Sequence, residues 1–174
     1  MSEVVFKFKS PQSWSRANVC ERVSRMPNFK GAYRFEYYTI VMSKNDILLT
    51  SINNFYDDEK NRSTLLTILD KTSGISLRNL EWFITNYAKK NHTSYQTGDG
   101  KLFTVHCAYK SSLNGYSKQL FDPFCRAEKF AYTVPGTSHE IQTTLAQLNF
   151  IKWCIKNNII DYIADNKDKL FAKQ

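Results

Sequence analysis

The sequence predicts an α+β fold, mainly antiparallel sheet packed against a few helices, with a helical C-terminus. Three observations lead there. Runs rich in Tyr, Phe, Ile and Val recur at residues 32–42 and 102–109, and these residue types suit a pleated, half-buried surface. Clear helical spacing of apolar residues appears only later, at residues 76–90 and 144–170. The chain of 174 residues is 42% hydrophobic and 14% aromatic, with six Gly and four Pro. That is enough apolar material, with few enough breakers, to build a packed core. Repeats, low-complexity runs and linkers are absent from the sequence, so residues 1–174 are read as one α+β domain.

The elements follow in chain order. VVFKFK (residues 4–9) alternates apolar and basic side chains at the period of a half-exposed strand, and Pro11 ends it. Over residues 13–30, Val19, Val23 and Met26 cover one side of a short helix. Gly31 opens AYRFEYYTIVM as a strand; Asn45-Asp46 is a turn, and ILLTSI is the second strand of a hairpin. Asp57-Asp58-Glu59 suits a loop or the acidic first turn of a helix. RSTLLTILDKT fits a buried strand or a helix, and is assigned to strand. SLRNLEWFITNYAKK is the clearest helix. Ser76 caps it, Leu77, Leu80, Ile84 and Tyr87 share a face, and Lys89-Lys90 complement the carbonyl end. Gly98-Asp99-Gly100 is a turn leading into the strand LFTVHCAY. SSLNGYSKQLFDPF is irregular or briefly helical, Pro123 marks a break, and residues 129–134 form a strand closed by Pro135-Gly136. Thr144 and Gln147 form a capping-box pattern ahead of the stripe Leu145, Leu148, Ile151 and Ile155. Asn157-Asn158 ends that helix and caps the next, over residues 159–170.

The formal net charge is +8, from 24 basic and 16 acidic residues. It is uneven: +4 over residues 1–40, −1 over 41–75, +4 over 76–130 and +1 over 131–174. Two positive stretches thus flank an acidic one, a balance that favours polyanions such as nucleic acid or serves solubility. No stretch reaches the ~20 uninterrupted apolar residues of a membrane span, and the N-terminus lacks a secretory pattern. The expected protein is soluble and intracellular.

Motifs for chemistry are sparse. His92, His106, His139 and the cysteines Cys20, Cys107, Cys125 and Cys154 show no paired metal-ligand spacing. His106 and Cys107 are adjacent, so on a strand they would point to opposite faces. A Cys–His pair of Cys20, Cys107 or Cys125 with His139 is left open. The sequence contains no G-x-S-x-G elbow and no phosphate-binding glycine loop. No catalytic residue, metal or cofactor is expected.

What remains is basic and aromatic. Lys101, Lys110, Lys118, Arg126 and Lys129 lie among Phe103, Tyr109, Tyr116, Phe121, Phe124 and Phe130. Such interleaving suits a surface that holds phosphates while stacking on bases, or a half-buried sheet with rings inward and lysines outward. A second cluster, Arg16, Arg22, Arg25, Lys30 and Arg34, is suited to positioning phosphates without reading sequence. The abundance of Tyr and Phe also suits a protein–protein surface and a two-fold homodimer.

YKSSLNGYSKQLFDPFCRAEKF (residues 109–130), TTLAQLNFIKWCIKNNIIDYI (143–163) and SLRNLEWFITNYAKK (76–90) resemble an uncharacterised protein family of nucleocytoplasmic large DNA viruses, marseillevirus- and iridovirus-like. The resemblance lies mainly in residues 76–163 and carries no catalytic residues with it. It implies a viral protein made in an infected cell, in the virion or in the cytoplasmic viral factory. The leading expectation is a non-enzymatic viral accessory or virion-associated protein, homodimeric, whose basic surface is available to DNA or RNA. One alternative is a purely protein-binding capsid or host-targeting component with viral or host partners. The other is an enzyme with an unrecognised Cys/His site.

Overall fold

Ser43 opens helix α1 with a reciprocal cap. Its Oγ accepts from the Asp46 backbone N–H at 3.2 Å, while the Asp46 carboxylate accepts from the Ser43 N–H at 3.0 Å. In the computed structural model, which describes residues 43–72, 74–98 and 100–171, α1 spans Lys44–Tyr56 and buries Leu48, Ile52 and Tyr56 at i, i+4 and i+8. This overturns the expected hairpin: Asn45-Asp46 is a first helical turn, and ILLTSI is helix. Asp58 caps α2 (Glu59–Leu69) by accepting from the Asn61 N–H at 3.0 Å, so RSTLLTILDKT is helical where a strand was expected. RSTLLTILDKT fitted either period while ILLTSI was expected only as a strand, and the caps make both helical. The expected strands at 4–9 and 32–42, the helix at 13–30, Cys20, and Arg16, Arg22, Arg25, Lys30 and Arg34 lie outside the described residues.

Ser76 caps the next helix as expected, in a capping box with Asn79. The helix runs as α3 (Leu77–Trp82), a π-helical stretch (Phe83–Tyr87) and α4 (Ala88–Asn91), ending on left-handed His92. Strands β1 (Ser94–Gln96) and β2 (Leu102–Thr104) pair antiparallel, joined by a turn in which Gly100 takes φ +75°. The expected strand LFTVHCAY stops after three residues. Val105 begins helix α5 (Val105–Tyr116), which buries Val105 and Tyr109 one turn apart. Helix α6 (Lys118–Phe121) follows. Strands β3 (Phe130–Thr133) and β4 (Glu140–Thr143) make a second antiparallel pair, in the register Phe130 to Thr143 and Tyr132 to Ile141. β3 lies where a strand was expected, and its turn uses Gly136 at φ +72°.

Helix α7 (Leu145–Lys156) is the hub. It packs against α1, α2, α6 and α8 (Ile159–Asp165), and Ala146, Leu148, Asn149, Phe150, Ile151 and Cys154 are all buried on it. A helix buried on most of its circumference belongs at the centre of a core. Its cap is half of the expected box: Thr144 Oγ1 accepts from the Gln147 N–H at 3.2 Å, while the Gln147 amide reaches Thr143 and the Pro123 carbonyl. The Tyr56 hydroxyl donates to the Leu148 carbonyl of α7 at 2.8 Å, and burial, with Tyr132 and Cys154 nearby, holds the phenol well above its ordinary pKa. Asn166 separates α8 from α9 (Lys167–Phe171), so the expected helix over 159–170 is broken once. The fold is α+β with antiparallel pairing in both described sheets. Helices carry more of it than the apolar runs suggested.

Candidate anion-binding groove

Three segments remote in sequence meet around an open groove of about 630 Å³. The first two turns of α1 contribute Lys44, Asp46 and Leu49, and the α5–α6 junction contributes Ser117 and Leu120. The run into β3 contributes Arg126, Glu128, Lys129 and Phe130, with Leu145 from the start of α7. Leu49, Leu120, Phe130 and Leu145 are half-buried, while Lys44, Arg126 and Lys129 are exposed. The groove therefore pairs an apolar floor with cationic edges. Asp46 is tied into the α1 cap, where its charge opposes the positive end of the helix dipole. Glu128 is the other acid in the lining, so three cations face two carboxylates.

The walls are fixed from behind. The Asn149 side chain, buried on α7, donates to the Leu120 carbonyl at 2.9 Å, and the Gln147 amide donates to the Pro123 carbonyl at 3.2 Å. On the opposite side the Tyr132 hydroxyl donates to Asn53 Oδ1 of α1 at 2.9 Å. Burial pushes that phenol up to about 12. Ser117 holds φ +75° and ψ 160°, a conformation taken almost solely by glycine. It sharply redirects the chain from α5 into α6. Tyr116, just before it, is 44% exposed and stacks at 5.6 Å and 10° on the fully buried Phe121.

The structure places Arg126 and Lys129 in the groove lining. Lys118 is exposed on the first residue of α6, between Ser117 and Gln119, which do line the groove. Lys110 is exposed in the middle of α5, and Lys101 sits in the β1–β2 turn; neither lines the groove. Lys44 was missed, because it lies in the acidic stretch 41–75 and more than 70 positions before the other segments that line the groove. The signal that would have found it is the S-x-x-D pattern at Ser43–Asp46, which marks a helix start beside Lys44. Of the interleaved rings, Tyr109 and Phe121 are buried, Phe103 and Phe130 half-buried, and Tyr116 and Phe124 exposed. Phe124 has the Arg78 guanidinium 5.1 Å above its ring.

His106 and Cys107 are successive residues of helix α5 rather than a strand. Cys107 is exposed, and His106 Nδ1 lies 3.3 Å from the Ile84 carbonyl. Cys154 is fully buried, which pushes its thiol well up and removes it as a nucleophile at neutral pH. Among the described residues, no three of His, Cys, Asp and Glu gather to hold a metal ion. No described helix is long and apolar enough to cross a membrane.

A family model described as a family of unknown function, DUF7197, matches residues 31–172. An uncharacterized protein of Acanthamoeba polyphaga mimivirus is 45% identical over 116 residues, covering 63% of this chain. The aligned part makes up 45% of that relative, so the chain spans less than half of its length. No solved structure matches the chain. The resemblance to an uncharacterised family of large DNA viruses holds, over a longer stretch than residues 76–163 and with a mimiviral relative.

Proposed function

This chain belongs to the family of unknown function DUF7197, and from that premise we propose that it is a non-enzymatic viral protein that holds nucleic acid by its phosphates in the groove between α1, α6 and β3. The observation that carries this reading is the convergence of Lys44, Arg126 and Lys129 from segments remote in sequence onto one groove whose walls are pinned to α1 and α7. Cations brought together by the fold, on a backbone that does not have to reorganise, suit sequence-independent phosphate contact. In this reading the protein acts in the virion or the cytoplasmic viral factory.

Three or four phosphate contacts, counting Lys118, give a modest salt response. At about −0.7 to −0.9 per contact, affinity falls roughly 20- to 150-fold between ~50 and ~200 mM salt. Fluorescence anisotropy of a labelled DNA oligonucleotide measures this. The variant Lys44→Glu/Arg126→Glu/Lys129→Glu should lose both the affinity and most of the salt slope, while Lys110→Glu, outside the groove, should keep them. A triple variant that binds like the wild type refutes the groove.

A second reading, self-association, rests on Leu102 and Ile47, which are 73% and 57% exposed. Sedimentation equilibrium of the wild type against Leu102→Asp tests it: a monomer in both cases ends that reading.

A further inference from the structure

Resting on the reading of the groove as a nucleic-acid site, we infer that its ligand is single-stranded, with one base stacked on the free face of Tyr116. The two faces of that ring differ. One lies parallel against Phe121, whose ring is fully buried and packs edge-on against Phe150 and Trp153 at 6.0 and 5.6 Å. Phe121 covers only that face, and Tyr116 as a whole is 44% exposed. The ring is thus held in place by the core while presenting an aromatic surface, so little ordering remains to be done when a base arrives.

Position makes this surface useful. Tyr116 is not itself in the lining but immediately precedes Ser117, which lines the groove in its glycine-like conformation, and backbone outliers of this kind cluster at ligand sites. The cations Lys44, Arg126 and Lys129 line the same groove, and Lys118 lies two residues from Tyr116. Cations along a backbone track beside an exposed ring are the combination that retains a single strand. In a duplex the base faces are already stacked on each other and have none to offer the ring. An acidic peptide would satisfy the cations but leave the ring without a partner.

The test is anisotropy at ~50 mM salt with the full chain and three labelled probes: a 20-nucleotide oligo-dT, a 20-base-pair duplex and poly-glutamate. The oligo-dT should bind more tightly than the duplex. Tyr116→Ala should weaken oligo-dT binding about ten-fold or more and leave the duplex unchanged, while Tyr116→Phe should retain the wild-type preference. Equal losses on both nucleic acids, or no loss, overturn the stacking role and leave the groove reading standing. Binding of poly-glutamate that responds to the triple charge reversal but not to Tyr116 replaces nucleic acid with an acidic peptide. If neither oligonucleotide binds, the groove reading itself falls. An unchanged thermal midpoint for Tyr116→Ala excludes unfolding as the cause of any loss.

Discussion

The two hairpins are built alike and used differently. β1–β2 lies on the surface: no residue of either strand is buried, and its hold on the rest of the chain is aromatic. Tyr95 pairs with Phe103 across the strands at 5.4 Å, stacks on Tyr162 of α8 at 5.1 Å, and its hydroxyl donates to the Asn157 carbonyl. β3–β4 instead enters the core. Tyr132 and Thr143 are buried within its strands, the Tyr132 hydroxyl reaches Asn53 of α1, and Arg62 of α2 donates to the Pro135 carbonyl at its turn at 2.9 Å. A two-stranded ribbon is marginal by itself, so its anchor decides what it becomes. The ring-anchored ribbon carries Lys101 in an exposed turn, while the core-anchored one delivers Lys129 and Phe130 to a groove.

Removing the anchors gives the largest effect. Tyr132→Ala should cost about 3–4 kcal/mol and Tyr95→Ala about 2 kcal/mol, since the first ring is buried and the second only half so. Urea midpoints at unchanged m-value measure both, and equal losses would erase the distinction between the ribbons.

Alkaline pH acts on both ribbons and on α5, since burial also holds Tyr95 of β1 well above its ordinary value. Burial pushes Tyr132 up to about 12, and burial, then Asp122 and Glu81, pushes Tyr109 up to about 12 from an ordinary value of 10.0. A phenol that ionises less readily when folded leaves stability intact below pH 10. That stability is then lost as pH rises towards 12. Tyr132→Phe should cost about 1 kcal/mol at pH 7, where its hydrogen bond is lost, and should flatten the fall above pH 10. A steep, unchanged alkaline limb in this variant would assign the loss elsewhere.

The smallest effect concerns the two lysines. Neither Lys129→Glu nor Lys101→Glu should change stability by more than about 0.5 kcal/mol, because both side chains are exposed. Only Lys129→Glu should weaken oligonucleotide binding, by several-fold in the same anisotropy assay. An equal loss from Lys101→Glu would mean that the surface extends well beyond the groove.

What could be read from the chain follows a physical line. The helix from Ser76 and the helix from Leu145 declared themselves because cap, apolar stripe and length agreed. β3 did so because aromatic residues end at Pro135-Gly136. Helices α1, α2 and α5 did not, since ILLTSI, LLTIL and LFTVHCAY are short apolar runs that suit either period. The deciding information is the capping hydrogen bonds of Ser43 and Asp58, and the packing of Tyr56 under α7. Arg126 and Lys129 were visible as cations near aromatic residues. Their meeting with Lys44 was not, because it depends on α7 drawing α1 and α6 to one side, a tertiary fact with no local signature.

The Arg62 contact ties the β3–β4 turn to helix α2. Its guanidinium lies so close to the Gly136 backbone that a Cβ there would sit 2.6 Å from Nη1, and Gly136 already holds φ +72°. A side chain at position 136 is strained by the backbone conformation and makes the Arg62 guanidinium, the far end of a flexible side chain, shift away. A side chain at 136 would thus weaken the turn in two ways, through its own backbone strain and through the Arg62 bond to the Pro135 carbonyl that a displaced guanidinium gives up.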